Sequence, residues 1–498
     1  MPDGQEYPGE LSFKEGEGAA LRVFGSRQAS LSEPTRWVQA LHGTTLGGQD
    51  MSLLDAALFQ HQDHLWGGDE MPTSQEWRSH TLIVGMHVDR EDDLKFSTAT
   101  FRVAGLEAWL AEQWGGPPFF SAPPRVPSGR SRRARRGRAR ITGRRKVWRR
   151  RPEMVQRTRV LSRLREYRPV GRIGGRVEDA RIIATLGEHR NIEGRFREVI
   201  ERTANFQVDL DSPLGLGQWE RRWVFPLQDM LILCTGRESP IASMTAHFRV
   251  EAPAFMRPAL RDRRTLPATV SIYRSSMRAS TPGGRYERMP LPRNALVCDG
   301  SRFLREWFRL YRRIERAAPF FFATLDEHSQ WLDNQLLNLT AFAEAYHERI
   351  HDRPRFDPEL NDRLVEELLG RIDDPEARDA WREKTVYAAK MTQRKRLTEL
   401  VSWAKWVVPA LDRFPKLVAQ LIDTRNHLTH FGPRTKWVVV DHELVRAVQR
   451  LVVVLQANLL LDIGGSDEAV ALAIARGYWR SPVLDPSEEV SHGSAEAG

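Results

Sequence analysis

The sequence has two cysteines, Cys234 and Cys298, in 498 residues. Two thiols cannot build a disulfide framework or a cysteine-based structural zinc site, so both are expected to be reduced. Long hydrophobic runs are also missing. The best candidate, Leu451 to Ile463, is shorter than the ~18 to 20 residues a membrane span needs and carries Gln456, Asn458 and Asp462. The polar start, Met1 to Ser12, lacks the basic and apolar regions of a secretory signal. These absences argue against a membrane protein and for a cytoplasmic one. No Gly-x-Ser-x-Gly elbow points to a hydrolase.

An ordinary globular composition, 41% hydrophobic and 28% charged, is enough for several domains. The formal charge of +10 is misleading. Arg130 to Arg151 holds twelve arginines, Lys146 and no acid, and without those thirteen cations the chain would carry −3. The basic character therefore belongs to one segment and not to the folded domains. Pro, Ser, Gly and Arg dominate from Ser121 to Arg151, which predicts a disordered insertion over about 119–170. Three readings of it stay open: an electrostatic arm whose cations, Arg149, Arg150 and Arg151 among them, meet nucleic-acid phosphates, a solvated insertion, or a local reading-frame error. From Ser121 to Arg151 Trp148 is the one aromatic, so the interleaved rings of a single-strand binding surface are absent.

Around this segment the pattern is β-rich, in a first part at 1–118 and a second at 171–295. Thr81 to Val88 and the alternating Leu94 to Val103 flank the polar Asp89 to Asp93, and this predicts a hairpin. Leu106 to Leu110 turns to helical spacing. Ala180 to Leu186, Phe206 to Leu210 and Ile241 to Val250 read as strands, whereas Leu227 to Cys234 is a short apolar element of undecided type. From about 296 to 482 the period becomes helical. Phe303, Leu304, Trp307, Phe308, Tyr311 and Ile314 make one apolar stripe, and Trp331 to Ile350 a longer one. Asp357-Pro358 and Pro375 open helices, Leu417 to His430 forms another, and Asp441 is expected to cap a long helix that Gly464-Gly465 stops. A polar tail, 483–498, is expected to be disordered. The fold class is α+β, a β-rich N-terminal region followed by an all-α bundle.

One string stands outside the apolar period: Asp423-Thr424-Arg425-Asn426-His427-Leu428-Thr429-His430, followed by Gly432-Pro433. Arg425, a polar Asn and His430 after four intervening residues fit the Arg-x4-6-His pattern of HEPN nucleases. Metal-free RNA cleavage needs a group to move a proton at the 2′-OH or the leaving oxygen, and His is the side chain suited to do so near neutral pH. His430 is the candidate. Arg425 offers a planar, permanent charge for phosphoryl oxygens, Asn426 a hydrogen-bonding partner, and His427 an assisting group. A five-residue offset is about 140° of helix rotation, so one helix does not aim both groups at one point. Two copies across a two-fold interface would, which predicts a homodimer with a composite site. A structural explanation competes, because cations in the last turn also suit the helix dipole.

The chain resembles ApeA-like proteins, in which an ApeA N-terminal domain precedes a HEPN domain. The resemblance rests on Trp37-Val38-Gln39-Ala40-Leu41-His42-Gly43-Thr44-Thr45-Leu46-Gly47-Gly48, Met51 to Asp55, Val84 to His87 and Leu94 to Ser97. In the helical part it rests on Phe303 to Trp307, Ala343 to His347 and Arg425 to Phe431. It implies an antiphage ribonuclease that arrests growth by cutting RNA, with tRNA the expected substrate, after a phage-derived trigger, with the N-terminal domain sensing or regulating. Arg425 and His430 map onto the family's motif. The Arg-rich stretch departs from the pattern where a β-rich domain should continue. Glu344 is a supporting candidate that could fix the Arg425 fork.

No cofactor and no metal are expected. His61, Asp63 and His64 have too little support as ligands. Gly171 to Arg176 is Gly-rich but lacks the Lys and Ser/Thr of a phosphate-binding loop. Two alternatives remain: a non-catalytic HEPN module for dimerisation or RNA binding, and an N-terminal ligand sensor.

Overall fold

The computed structural model describes residues 6–14, 17–25, 37–62, 74–111, 166–193, 197–237, 239–251, 265–275, 290–296, 300–326, 331–351, 357–385, 390–431 and 434–477. Arg149, Arg150 and Arg151, Cys298, Asp63, His64 and Gly432-Pro433 lie outside them, as does the tail.

Among the described residues, twelve strands form one antiparallel sheet: β1 (Gly9–Lys14), β2 (Gly18–Phe24), β3 (Trp37–Thr44), β4 (Asp50–Gln62), β5 (Ser74–Ser79), β6 (Thr81–Val84), β7 (Lys95–Val103), β8 (Glu166–Val177), β9 (Ala180–Glu193), β10 (Arg197–Gly215), β11 (Ile241–Glu251) and β12 (Thr265–Arg274). The order is β1-β2-β5-β4-β6-β12-β11-β7-β10-β9-β8, with β3 on the other edge of β4. Strands from before and after the Arg-rich segment thus share one sheet, since β7 pairs with both β10 and β11. The sheet branches at Ser79, whose buried hydroxyl donates to the Leu54 and Thr81 carbonyls. On one side of that kink β5 continues to β2, and on the other β6 continues to β12.

The expected hairpin between residues 81–88 and 94–103 does not form. Both strands exist, but β6 pairs with β4 and β12, while both edges of β7 go to β10 and β11. Alternation sets which face a residue takes and is silent about its partner strand. The acidic connection is instead used for anchoring. Arg274 on β12 holds Glu91 at 2.7 Å and Glu220 at 2.9 Å.

Leu227 to Cys234 proves helical. After α1 (Leu106–Ala111), the chain enters α2 (Leu216–Trp219), passes one π turn at Glu220–Val224, and continues as α3 (Phe225–Thr235). Pro226 to Thr235 is buried almost throughout, and an element apolar on every side shows no period to read. Buried tryptophans tie the layers together. Trp219 Nε1 donates to the Phe96 carbonyl at 2.7 Å, and Trp307 Nε1 to the Pro226 carbonyl at 2.8 Å. Burial pushes the Cys234 thiol up and leaves it inert.

The helical part comprises α4 (Gly300–Ile314), α5 (Ala318–Asp326), α6 (Leu332–His351), α7 (Pro358–Leu369), α8 (Pro375–Thr385), α9 (Gln393–Val407), α10 (Leu417–His430), α11 (Asp441–Asp462) and α12 (Asp467–Arg476). Asp357 caps α7, accepting from the Glu359 amide at 3.0 Å. Asp441 does not cap α11. It is the first helical residue, at φ +50°, and Val440 holds the cap position without a side-chain bond. By length and composition α11 could cross a membrane, but 78% of its apolar window is buried inside the protein, as befits the central helix of a bundle.

The Gly-rich run is the outer half of β8, and its glycines serve packing. A Cβ on Gly175 would lie 2.8 Å from Ser301, and one on Gly300 would lie 2.3 Å from Ile173. Ser301 Oγ donates to the Gly174 carbonyl at 3.0 Å. This close seam joins α4 to the sheet edge, and one apolar core runs from the sheet through α3 and α4 into the bundle. A smaller core lies under β1 to β5.

Candidate active site

The first turns of α10 dock because Leu417, Leu421 and Ile422 are buried. Thr424 is buried too, and its hydroxyl accepts from the Val439 amide at 3.0 Å, which lays the returning chain against the helix. Beyond it the helix emerges. Arg425 and His427 are half-buried, and Asn426 and His430 are exposed. The helix stays regular through His430 and ends at Phe431, which takes a left-handed conformation at φ +50° and donates its amide to the His427 carbonyl at 2.9 Å. Phe431 is 90% exposed.

Arg425 Nη1 donates to Asn426 Oδ1 at 3.1 Å. Asn426 and His430 are four residues apart and share a helix face, so this bond draws the guanidinium toward the flank that carries His430. Thr429 Oγ1 donates to the Arg425 carbonyl at 2.7 Å. Glu344 does not supply the fork. Among the described residues no ion pair joins it to Arg425, and its backbone carbonyl accepts from Arg396 Nη1 at 3.3 Å. It is half-buried on α6.

Three residues given no role from the sequence, Asp423, Arg394 and Thr435, brace this helix end. Asp423 receives Arg394 Nη2 of α9 at 2.8 Å on one oxygen and Thr435 Oγ1 at 2.8 Å on the other. The clamp fixes α10 to α9 and to the chain that follows the motif. Lys416 and Lys436 lie 4.9 and 5.0 Å from the Trp437 ring on that same segment. A carboxylate two residues before the motif Arg was the available signal, but nothing in the sequence names Arg394 as its partner.

A second constellation sits inside the bundle. His347 is fully buried, hydrogen-bonded to Glu399 at 2.9 Å, and its ring stacks on Trp403. Burial holds its imidazole below the ordinary value, against the opposing pull of Glu399. His351 bonds Asp462 at 3.0 Å, and Tyr346 donates to the same carboxylate. Arg396, 3% exposed, pairs with Glu348 at 3.1 Å. Its hydrogen bond, and after it its charge, hold the Glu348 carboxyl below the usual carboxylate range, with burial opposing.

In the sheet, His42 lies between Ser52 Oγ at 3.0 Å and Asp89 at 2.8 Å. This resembles a nucleophile triad, but Ser52 is 0% exposed and its oxygen accepts from the Val88 amide at 2.9 Å, so no substrate reaches it. Among the described residues no group of three or more His, Cys, Asp or Glu could hold a metal. His61 lies on β4.

Family models match at both ends of the chain: "ApeA N-terminal domain 1" over residues 1–123 and "Apea-like HEPN" over 337–469. The chain is an ApeA-like HEPN protein. The HEPN match contains α10 and with it Arg425 and His430. Both matches, in this order, support a role in antiphage defence. No curated protein and no solved structure matches the ApeA-like chain.

Proposed function

We propose that this ApeA-like protein is a metal-independent endoribonuclease acting in the cytoplasm, with Arg425 and His430 as its catalytic residues. The observation that carries the reading is the surface end of α10: Asn426 and His430 are exposed, and Arg425 is hydrogen-bonded toward their face. In the reaction the substrate 2′-oxygen bonds to phosphorus as the bond from phosphorus to the 5′-oxygen breaks. One His430 accepts the 2′-OH proton, and a protonated His430 gives a proton to the leaving oxygen. Arg425 meets the charge on the non-bridging oxygens.

Acid and base are needed together, and one chain supplies one His430. A second copy placing its α10 opposite the first supplies the other. The exposed Phe431 beside the motif gives such a contact an apolar anchor. The RNA is proposed to be tRNA, the trigger to be phage-derived, and the N-terminal domain to sense or regulate. Purified protein incubated with total tRNA in EDTA is expected to yield fragments ending in 2′,3′-cyclic phosphate. Cleavage that requires added metal would overturn the mechanism.

A further inference from the structure

Where the sheet meets α4, a cleft of ≈ 480 Å³ opens, lined by Leu214, Gln218, the cations Arg221, Arg222 and Arg312, and the acids Glu178 and Glu315. Its volume is in the range of small-molecule sites. Three guanidinium groups from two elements converge on it. Arg221 and Arg222 come from the π turn at Glu220–Val224, an irregularity that often marks functional positions. Arg312 comes from α4.

An internal anion already occupies part of this site. While Arg222 Nη2 also holds Asp179 at 2.8 Å, Glu178 is bonded by that same Nη2 at 3.1 Å and by Arg312 Nε at 3.2 Å. It sits in the two-residue turn between β8 and β9, where Val177 pairs with Ala180, and its φ is +52°. Glycine or asparagine would take that conformation with less strain, so the position is costly for glutamate and delivers a carboxylate between two arginines. Burial alone would raise the Glu178 carboxyl, but the bonds and charges of Arg312 and Arg222 outweigh it and hold it below the usual range. Arg221, by contrast, spends its Nε on the Gly217 carbonyl of its own helix at 3.2 Å, and among the described residues no ion pair engages it.

We propose that this cleft is a binding site for a phosphate-bearing small molecule, held by Arg221, Arg222 and Arg312, whose phosphates displace the carboxylate of Glu178. A ligand must outcompete an intramolecular carboxylate, which favours one with several negative charges. Guanidinium forks match phosphate oxygens in pairs. Since Arg312 lies on α4, ligand exchange at Glu178 would act on the contact that ties the turn between β8 and β9 to the helical part. The inference is independent of the nuclease reading.

The test is calorimetric titration of the full-length protein with ATP and, separately, with inorganic triphosphate. Saturable binding of at least one probe is expected. Tighter binding of ATP than of triphosphate indicates a nucleotide, and equal binding a free polyphosphate. Losing one charged donor in Arg221→Ala should weaken binding about tenfold or more, with little risk to the fold because Arg221 bonds only its own helix among the described residues. Glu178→Gln removes the carboxylate shared by Arg222 and Arg312 and should tighten binding, with Asp179 still on Arg222. No saturable binding, binding unmoved by Arg221→Ala, as capture by the Arg130 to Arg151 stretch would give, or binding weakened by Glu178→Gln overturns the proposal.

Discussion

Two sets of histidine and arginine lie in the same helical part, and their surroundings are opposite. In one, His347 and Arg396 are buried and answered by Glu399 and Glu348. In the other, Arg425 has a neutral partner in Asn426, and His430 faces solvent. The buried set is committed to packing. Removing one member strands its partner, and a ring held neutral by burial and stacked on Trp403 is closed to substrate. At the surface set an anion finds a positive fork that no carboxylate among the described residues has claimed. Residue type alone does not distinguish a site from a strut; pairing and exposure do.

This contrast makes divided predictions, and the largest concerns activity. His430→Ala should lower tRNA cleavage by about 10² to 10⁴-fold, and Arg425→Ala by about 10² to 10³-fold, each without loss of folded protein by circular dichroism. The buried set should behave in reverse. Arg396→Ala leaves Glu348 without its main partner, and since Glu348 is partly solvated the cost should be about 2 kcal/mol, below the 3 to 5 expected of a fully buried pair. Urea unfolding measures it, and an unchanged midpoint would remove the distinction between the two sets.

A pH titration sharpens the comparison. The folded-state pKa of His347 is lowered, so below the ordinary value of about 6.5 the unfolded chain binds a proton that the native ring does not. Its stabilising contribution is complete above that pH and is lost as pH falls toward the lower folded value. His347→Gln should flatten this part of a melting-temperature profile measured from pH 7.5 to 5. The smallest expected effect is at Asp423. Breaking its clamp with Asp423→Ala should cost about 1 kcal/mol and reduce cleavage severalfold, since the helix end loses its brace to Arg394 and Thr435 without losing a reacting group.

Much of the helical half was legible in the sequence because its helices bury one face. The stripes at Phe303 to Ile314 and Trp331 to Ile350 show the period directly, although Trp331 itself precedes α6 and is exposed, and Asp357-Pro358 marks a start that the structure places at the same residues. The sheet was legible strand by strand but not in its pairing. β6 and β7 are neighbours in sequence yet have two strands, β12 and β11, between them in the sheet, because pairing depends on long-range partners. The helix at Phe225–Thr235 was hidden by uniform burial. At the site, Arg425, Asn426 and His430 were readable from their spacing, whereas the Arg394–Asp423 pair spans α9 and α10 and becomes visible only once the chain has folded. Glu344 had the right chemistry, but among the described residues no ion pair joins it to Arg425, and Arg396 meets its backbone carbonyl only.

The most direct test of the central claim places His430→Ala beside His347→Ala and reads two quantities from each, tRNA cleavage in EDTA and thermal midpoint. The account predicts that His430→Ala loses cleavage and keeps its midpoint, while His347→Ala melts at a lower temperature. Cleavage that persists in folded His430→Ala, or a midpoint that falls in it as far as in His347→Ala, would contradict it.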